Sequence, residues 1–311
     1  MDIARRQDVT STICLAVPTV AERGEGLLAC LSKIAALEPA SGVNLHVLIV
    51  QNGVPDVTLD LRIPELADFP FGLTIVVEPK RGIPFARNKA LACAQQHRFD
   101  YLGFVDDDAE PDQAWLRNSL EMLGDAEAVT GPQIPRIPSD TPERLRLASV
   151  YRERRFPAGK MLTWAATNNV IFSLAFVKSH DLWFDEDMQT GGSDKEFFLR
   201  FTKAGGRIVW APDAVIFEDV EMSRLTMRWI WAREWRKGAT EFYIMRSVMG
   251  TPKALLMCIV KSGYYCVSAI GNLARCAVGT PQGLTNALSD TAHGVSLLLG
   301  VSRTFRPKAY I

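Results

Sequence analysis

No sign of charge dominates this chain: Lys plus Arg number 35 and Asp plus Glu number 35 over 311 residues. A balanced chain sets up no global field toward polyanions, so nucleic acid is not an expected partner. The six cysteines (14, 30, 93, 258, 266 and 276) contain no Cys-x-x-Cys pair. Cys14, Cys30 and Cys93 lie in apolar, regular-looking segments, which predicts reduced, cytosol-facing thiols and no disulfide framework or zinc site. Met1 to Thr10 mixes acids and bases without an apolar core, so no signal peptide is expected. No repeat or low-complexity tract is visible. Apolar runs of ~20 residues, the length that crosses a bilayer, are missing too. The longest stretches, Ala254 to Val260 and Tyr264 to Ala274, are broken by Lys261 and Arg275, and a spanning helix is not expected.

What is present describes a globular protein. Apolar residues make up 48% and charged residues 23%, and the length suits one large domain or two ordinary ones. Thr12 to Val17 is a short apolar run ending at Pro18-Thr19. Leu45 to Val50 ends at Gln51-Asn52-Gly53, Leu73 to Val77 forms a third run, and Tyr101 to Val105 a fourth. Between them, Leu27 to Leu37, Ile83 to Gln96 and Trp115 to Leu123 have helical character. Strands alternating with helices predict an α/β fold whose sheet is mostly parallel. Ligands bind such sheets outside the carboxyl ends of the strands, where Pro18-Thr19, Gln51-Asn52 and Asp106 to Asp108 fall.

Asp106-Asp107-Asp108 follow a buried-looking strand directly. Adjacent carboxylates repel one another unless a cation compensates them. Clustered oxygen ligands suit Mg²⁺ or Mn²⁺, which also take substrate phosphates. A metal–diphosphate site is one reading; an acidic turn capping the next helix is the other. Gly191-Gly192-Ser193-Asp194 is the second notable stretch. Its glycines permit close backbone approach to a ligand. Asp194 opens a helix, either as an ordinary cap or as a carboxylate able to remove a proton from an attacking hydroxyl.

From residue 224 onward the composition changes. Arg224, Arg228, Arg233, Arg236 and Lys237 interleave with Trp229, Trp231 and Trp235. This pattern fits either an interfacial basic-aromatic helix or a helical layer packed on the main domain.

The ordered set of motifs resembles family-2 glycosyltransferases with the GT-A fold. It comprises Pro18-Thr19, Ile49 to Gly53, Arg81-Gly82, Ala86 to Ala90, Phe104 to Asp108 with Pro111 and Trp115-Leu116, Thr167 to Asn169, and Gly191 to Asp194 with Arg200. The later Arg224-Leu225-Thr226-x-Arg228-Trp229 is similar to the bacterial exopolysaccharide, succinoglycan-type branch. The resemblance implies a GT-A catalytic domain over 1–220 and a C-terminal helical, membrane-associated region over 221–311. It implies inverting transfer of a sugar from a nucleotide diphosphate-sugar, UDP favoured, to an acceptor hydroxyl, with a polyprenyl-diphosphate-linked saccharide as the acceptor. The enzyme would sit at the cytoplasmic face of the plasma membrane.

Carried over residue by residue, the resemblance makes Asp194 the general base. Asp108 holds Mg²⁺ or Mn²⁺, with Glu218 in the place where many relatives carry a metal-holding histidine. Pro18, Thr19 and Glu22 line the nucleotide pocket. Gln51 stands where many relatives have an aspartate that accepts from uracil, and Asn52 follows it. Arg87 reaches the base or phosphates, and Asp106 the ribose or metal, with Asp107 beside it. Asn168 and Asn169 face the sugar or acceptor, and Gly192 lies against substrate. A nucleotidyltransferase and a non-catalytic sugar-nucleotide-binding protein are the alternatives. The first would usually carry a glycine-rich basic loop after its first strand, which residues 18–26 lack, and the second would not need Asp194.

Overall fold

The computed structural model describes residues 11–54 and 69–302; Met1 to Thr10, and with them the expectation about a signal peptide, lie outside these residues. The described chain divides into two compact units. The first comprises residues up to 133, 155–184 and 204–217; the second comprises 134–154, 185–203 and 218 onward.

The first unit is built on an eight-stranded sheet. In chain order the strands of the described chain are β1 (Ser11–Thr19), β2 (Val43–Asn52), β3 (Gly72–Glu78), β4 (Tyr101–Val105), the short β5 (Ala109–Pro111), β6 (Ala128–Thr130), β7 (Gln133–Arg136), β8 (Met161–Leu162), β9 (Asn169–Ser173), β10 (Ile208–Trp210) and β11 (Ile216–Asp219), of which β5, β7 and β11 lie outside this sheet. The sheet order is β3-β2-β1-β4-β9-β6-β10-β8. Strands β3, β2, β1 and β4 run parallel, so their carboxyl ends share one edge. Strand β9 runs antiparallel between β4 and β6, so its first residue, Asn169, lies at that same edge.

β1 is central because both its faces are apolar: Ile13 to Val17 are buried on each side of the pleat, as strands covered by helices on two faces must be. Helices Gly24–Ala35, Ile83–Gln96 and Trp115–Leu123 supply the cover. Ile13, Leu15 and Val17 pack with Leu27, Leu31 and Trp115 in one continuous core. The anticipated helix and strand ranges of this unit match these elements to within a few residues, and the fold is GT-A-like α/β.

The second unit is mainly helical, with Ser193–Lys203, Met227–Met249, Thr251–Ala277 and Gly283–Leu299 as its long helices. One expectation is corrected here. Ala254 to Val260 and Tyr264 to Ala274 are not separate stretches but parts of a single 27-residue helix, long and apolar enough to cross a membrane. Lys261 does not break it: lysine is a good helix former, and its ammonium meets buried Glu241 at 2.5 Å.

Candidate active site

Three strand ends of the first unit meet at the acidic turn. Register places Thr19 of β1 beside Gln51 of β2, and β4 leads directly into Asp106 to Asp108. The Thr19 hydroxyl donates to Asp107 Oδ2 at 2.7 Å. Arg23 Nη1 donates to Asp107 Oδ1 at 2.8 Å and lies 3.3 Å from Asp108 Oδ2. The backbone N–H of Ala109 closes the turn onto the Asp106 carbonyl, which also faces the Cys30 thiol at 3.5 Å.

The compensation that three adjacent carboxylates require is therefore partly internal: the Arg23 guanidinium stands against two of them. Sequence reasoning missed Arg23 as a site residue. Nothing local marks it, since 84 residues separate it from Asp107 and only β1–β4 pairing joins them. Asp107 is 4% exposed. Burial pushes its carboxyl pKa up, against the opposing pull of Thr19 and Arg23. It behaves as a brace between strand ends, whereas Asp108 stays partly exposed.

The other expected residues sort in the same way. Asn52 is buried and holds the loop after β3: its amide donates to Lys80 O at 2.8 Å and accepts from the Gly82 N–H at 2.7 Å. Gly82 has φ +142°, so glycine suits that tight turn. Gln51 is also buried, and Pro18 is half-buried next to Thr19. Glu22 is solvent-exposed and pairs with Arg81 at 3.4 Å. Arg87 lies over the Phe184 ring at 5.6 Å, and its neighbour Asn88 exchanges two hydrogen bonds with the Phe184 backbone. Asn168 donates to Gln133.

Asn169 corrects an expectation. It does not face a substrate; its amide is held within the core. Its oxygen accepts from the Trp115 indole N–H at 2.8 Å, and its nitrogen donates to Pro132 O and Ala214 O at 3.0 and 2.8 Å. A fully buried indole needs such an acceptor, which explains why an asparagine stands at the start of an apolar strand.

Asp194 lies in the second unit. Gly191 and Gly192 have φ of +113° and +84°, values that glycine alone adopts readily. This turn lets the helix Ser193–Lys203 begin with Asp194 in its first turn. The carboxylate accepts from the Lys195 N–H at 2.8 Å. Gly191 faces open space, but a Cβ on Gly192 would come within 2.9 Å of Ile244. The second glycine thus serves packing, and the open approach belongs to the first. Below Asp194, Lys195 Nζ reaches Glu241 at 2.6 Å and Arg200 clasps Glu196 at 2.7 and 2.8 Å. The Lys195 link was not anticipated from sequence, because its partner sits 46 residues away.

As metal ligands, the two proposed residues fare differently. Glu218 is engaged by Arg224 at 2.7 Å, an ion pair that competes with its expected role as a ligand. Among the described residues no group of three or more His, Cys, Asp or Glu is arranged to hold a metal. The acidic turn offers Asp108, with Asp106 two residues earlier. That limited set fits Mg²⁺ or Mn²⁺, which take one or two carboxylates and fill the remaining positions with water and phosphate oxygens.

Three comparisons bear on this geometry. The chain is 25% identical over 246 residues to the succinoglycan biosynthesis protein ExoM of Rhizobium meliloti (strain 1021), covering 77% of this chain and 79% of that protein. Its fold matches S. aureus TarS 1-349 with a TM-score of 0.55 at 12% identity, covering 92% and 90% of the two chains. It also matches the mannosyltransferase PcManGT from Pyrobaculum calidifontis, solved with GDP-Man and Mn²⁺, with a TM-score of 0.60 at 20% identity, covering 92% and 86%. The profile of glycosyl transferase family 2 matches residues 14–180, more than half the chain, and sets aside the nucleotidyltransferase alternative: this chain is a member of glycosyl transferase family 2.

Proposed function

We propose that the protein is an inverting glycosyltransferase that moves a sugar from a nucleotide diphosphate-sugar to an acceptor hydroxyl during surface polysaccharide synthesis. The observation that carries this reading is the convergence of Thr19, Gln51, Arg23 and Asp108 on the carboxyl edge of a parallel sheet in a family-2 chain. The similarity to a succinoglycan biosynthesis protein supports the polysaccharide context. A GT-A relative solved with a nucleotide-sugar and Mn²⁺ supports the donor class and the metal.

Residues 1–220 form the catalytic part in this reading, and 221–311 a helical extension at the inner face of the plasma membrane. Gln51 offers both an amide oxygen and an amide N–H, which matches the alternating acceptor and donor edge of a uracil; a UDP-sugar is the favoured donor. Pro18, Glu22, Arg87 and Asp106 complete the nucleotide side, and Asn168 lies toward the sugar. Mg²⁺ or Mn²⁺, held by Asp108, would stabilise negative charge on the departing diphosphate. Asp194 accepts the proton of the acceptor hydroxyl as its oxygen bonds to the anomeric carbon. The bond to the donor diphosphate breaks in the same displacement, and the electron pair leaves with the nucleotide. The acceptor is a saccharide on a polyprenyl diphosphate.

Thermal shift tests the donor side. The chain is melted with UDP- and GDP-sugars, with and without Mn²⁺, beside Asp108→Ala. Ligand binding to the native state raises Tm, so one donor is expected to stabilise the wild type only when Mn²⁺ is present, and Asp108→Ala not at all. No shift with any donor would refute the reading.

A further inference from the structure

The helix Thr251–Ala277 is built with its polarity reversed. Its buried positions include Ala254, Ser262, Ala269 and Asn272, whereas Leu256, Ile259, Val260, Val267, Ile270 and Leu273 are 50% to 72% exposed. Positions 256, 260, 263, 267, 270 and 274 recur at three- and four-residue intervals, which defines one continuous face. The polar groups point the other way: Ser268 and Asn272 both donate to Asp290 at 2.6 and 2.8 Å, and Lys261 meets Glu241. The neighbouring helix Gly283–Leu299 repeats the pattern. It buries Thr285, Asn286, Ser289, His293 and Ser296 and turns Leu284, Val295 and Leu298 outward. The contacts between helices are made by small residues. A Cβ on Gly294 would come within 2.9 Å of Tyr265, and one on Gly283 within 2.6 Å of Cys276. Close approach through glycine, with polar groups bonding across the helices, is how helices pack when apolar solvent surrounds them.

We infer that the outer face of this helical pair, from Leu256 to Ala274 with Leu284, Val295 and Leu298 alongside, docks into the hydrocarbon of an anionic lipid bilayer. Charge selects lipid over a second copy of the chain. The exposed stripe holds no charged residue between Lys253 and Arg275, both of them exposed. These cations are about 33 Å apart at 1.5 Å per residue and bracket the apolar face. Any two-fold pairing of two such helices sets cation against cation at each end: Lys253 against Arg275 if antiparallel, like against like if parallel. Anionic headgroups instead neutralise both ends, and the side-chain stems reach toward them from the apolar face. The inference deepens the membrane placement proposed above. Its readout is lipid binding, so a negative transferase assay leaves it standing, and its failure leaves the transferase reading intact.

Flotation of the full chain with vesicles of zwitterionic lipid containing an anionic phosphatidylglycerol fraction tests it. The wild type is expected to float and to remain bound in 1 M salt, because apolar burial is not screened. Val267→Glu with Ile270→Glu, both on exposed positions, is expected to keep the fold by circular dichroism and to lose about tenfold or more of the bound fraction. An environment-sensitive fluorophore on exposed Cys266, in a Cys276→Ser background, is expected to shift to the blue on vesicle addition. A wild type that stays at the bottom of the gradient, or an unshifted fluorophore, overturns the proposal. So does a concentration-dependent dimer that the double substitution dissolves while no vesicle binding is seen.

Discussion

The two compact units use apolar residues in opposite senses. In the first, Ile, Leu and Val of the sheet and its helices point inward and the strand ends present polar groups. In the second, the long helices bury Glu234, Glu241, Asn272, Ser289 and His293 and turn leucines and valines outward. The first is held together as water-soluble cores are. The second adds ion pairs and close glycine contacts to smaller apolar clusters such as that of Phe242, Met245, Cys258 and Leu297. The difference teaches that equal hydropathy in two segments carries no information about which side of each segment faces the protein.

Four experiments break or sharpen this contrast. The largest expected effect is on turnover: Asp194→Asn should lower it by about 10² or more, as loss of a general base does, with donor binding by the first unit nearly unchanged in calorimetry. Unchanged turnover would remove Asp194 from the chemistry. Next, Glu241→Ala leaves the half-buried Lys195 and Lys261 without their shared carboxylate, which should cost about 1.5–3 kcal/mol and show as a lowered denaturation midpoint. A cost under about 1 kcal/mol would deny the ionic centre its role.

Acid separates the units by sign. Burial opposes ionisation of Glu234 and Glu241, but His293 and Lys237 for the first, and Lys195 and Lys261 for the second, win and hold both pKa values at about 2 against 4.5. Their stabilisation, on the order of 3 kcal/mol each, is present above about pH 4.5 and is lost as pH falls toward 2. Asp107 runs the other way. Its raised pKa means that the native state holds its proton longer, so its contribution is fullest in acid and falls as pH rises. Hydrogen exchange between pH 5 and 2.5 is expected to show protection lost first around residues 234–261, with the β1–β4 edge holding longer. Simultaneous loss would contradict the contrast. The smallest effect belongs to Arg23→Ala, expected to cost about 1–3 kcal/mol by leaving buried Asp107 short of a partner. Unchanged thermal stability would make that contact incidental.

Much of the first unit could be read from sequence because its information is local. Runs such as Thr12 to Val17 alternate with helical periods, and polar residues mark where strands stop. What could not be read was set at long range. Asn169 has the same appearance whether it meets a sugar or an indole, and only the packing of Trp115 decides. Arg23 joins Asp107 only once β1 and β4 have paired. Lys261 counted against a long helix because its counter-ion lies 20 residues earlier in the chain. Likewise the Arg/Trp pattern after 224, which fits an interfacial helix or a packed helical layer equally, is partly consumed within the second unit: Arg233 donates to Val150 O at 2.9 Å and Trp229 stacks on Tyr151. The apolar surface lies on the following helix instead.

The bridge from Thr19 and Arg23 to Asp107 also bears on how the chain finds its fold. While the strands are still separate, the acidic turn is a knot of like charge in water, tolerable because it is hydrated. A sheet in which β4 did not lie beside β1 would separate Asp107 from Thr19 and Arg23, and burying it without partners costs several kcal/mol. The residue that braces the carboxyl edge of the sheet thereby favours the native strand order over its alternatives.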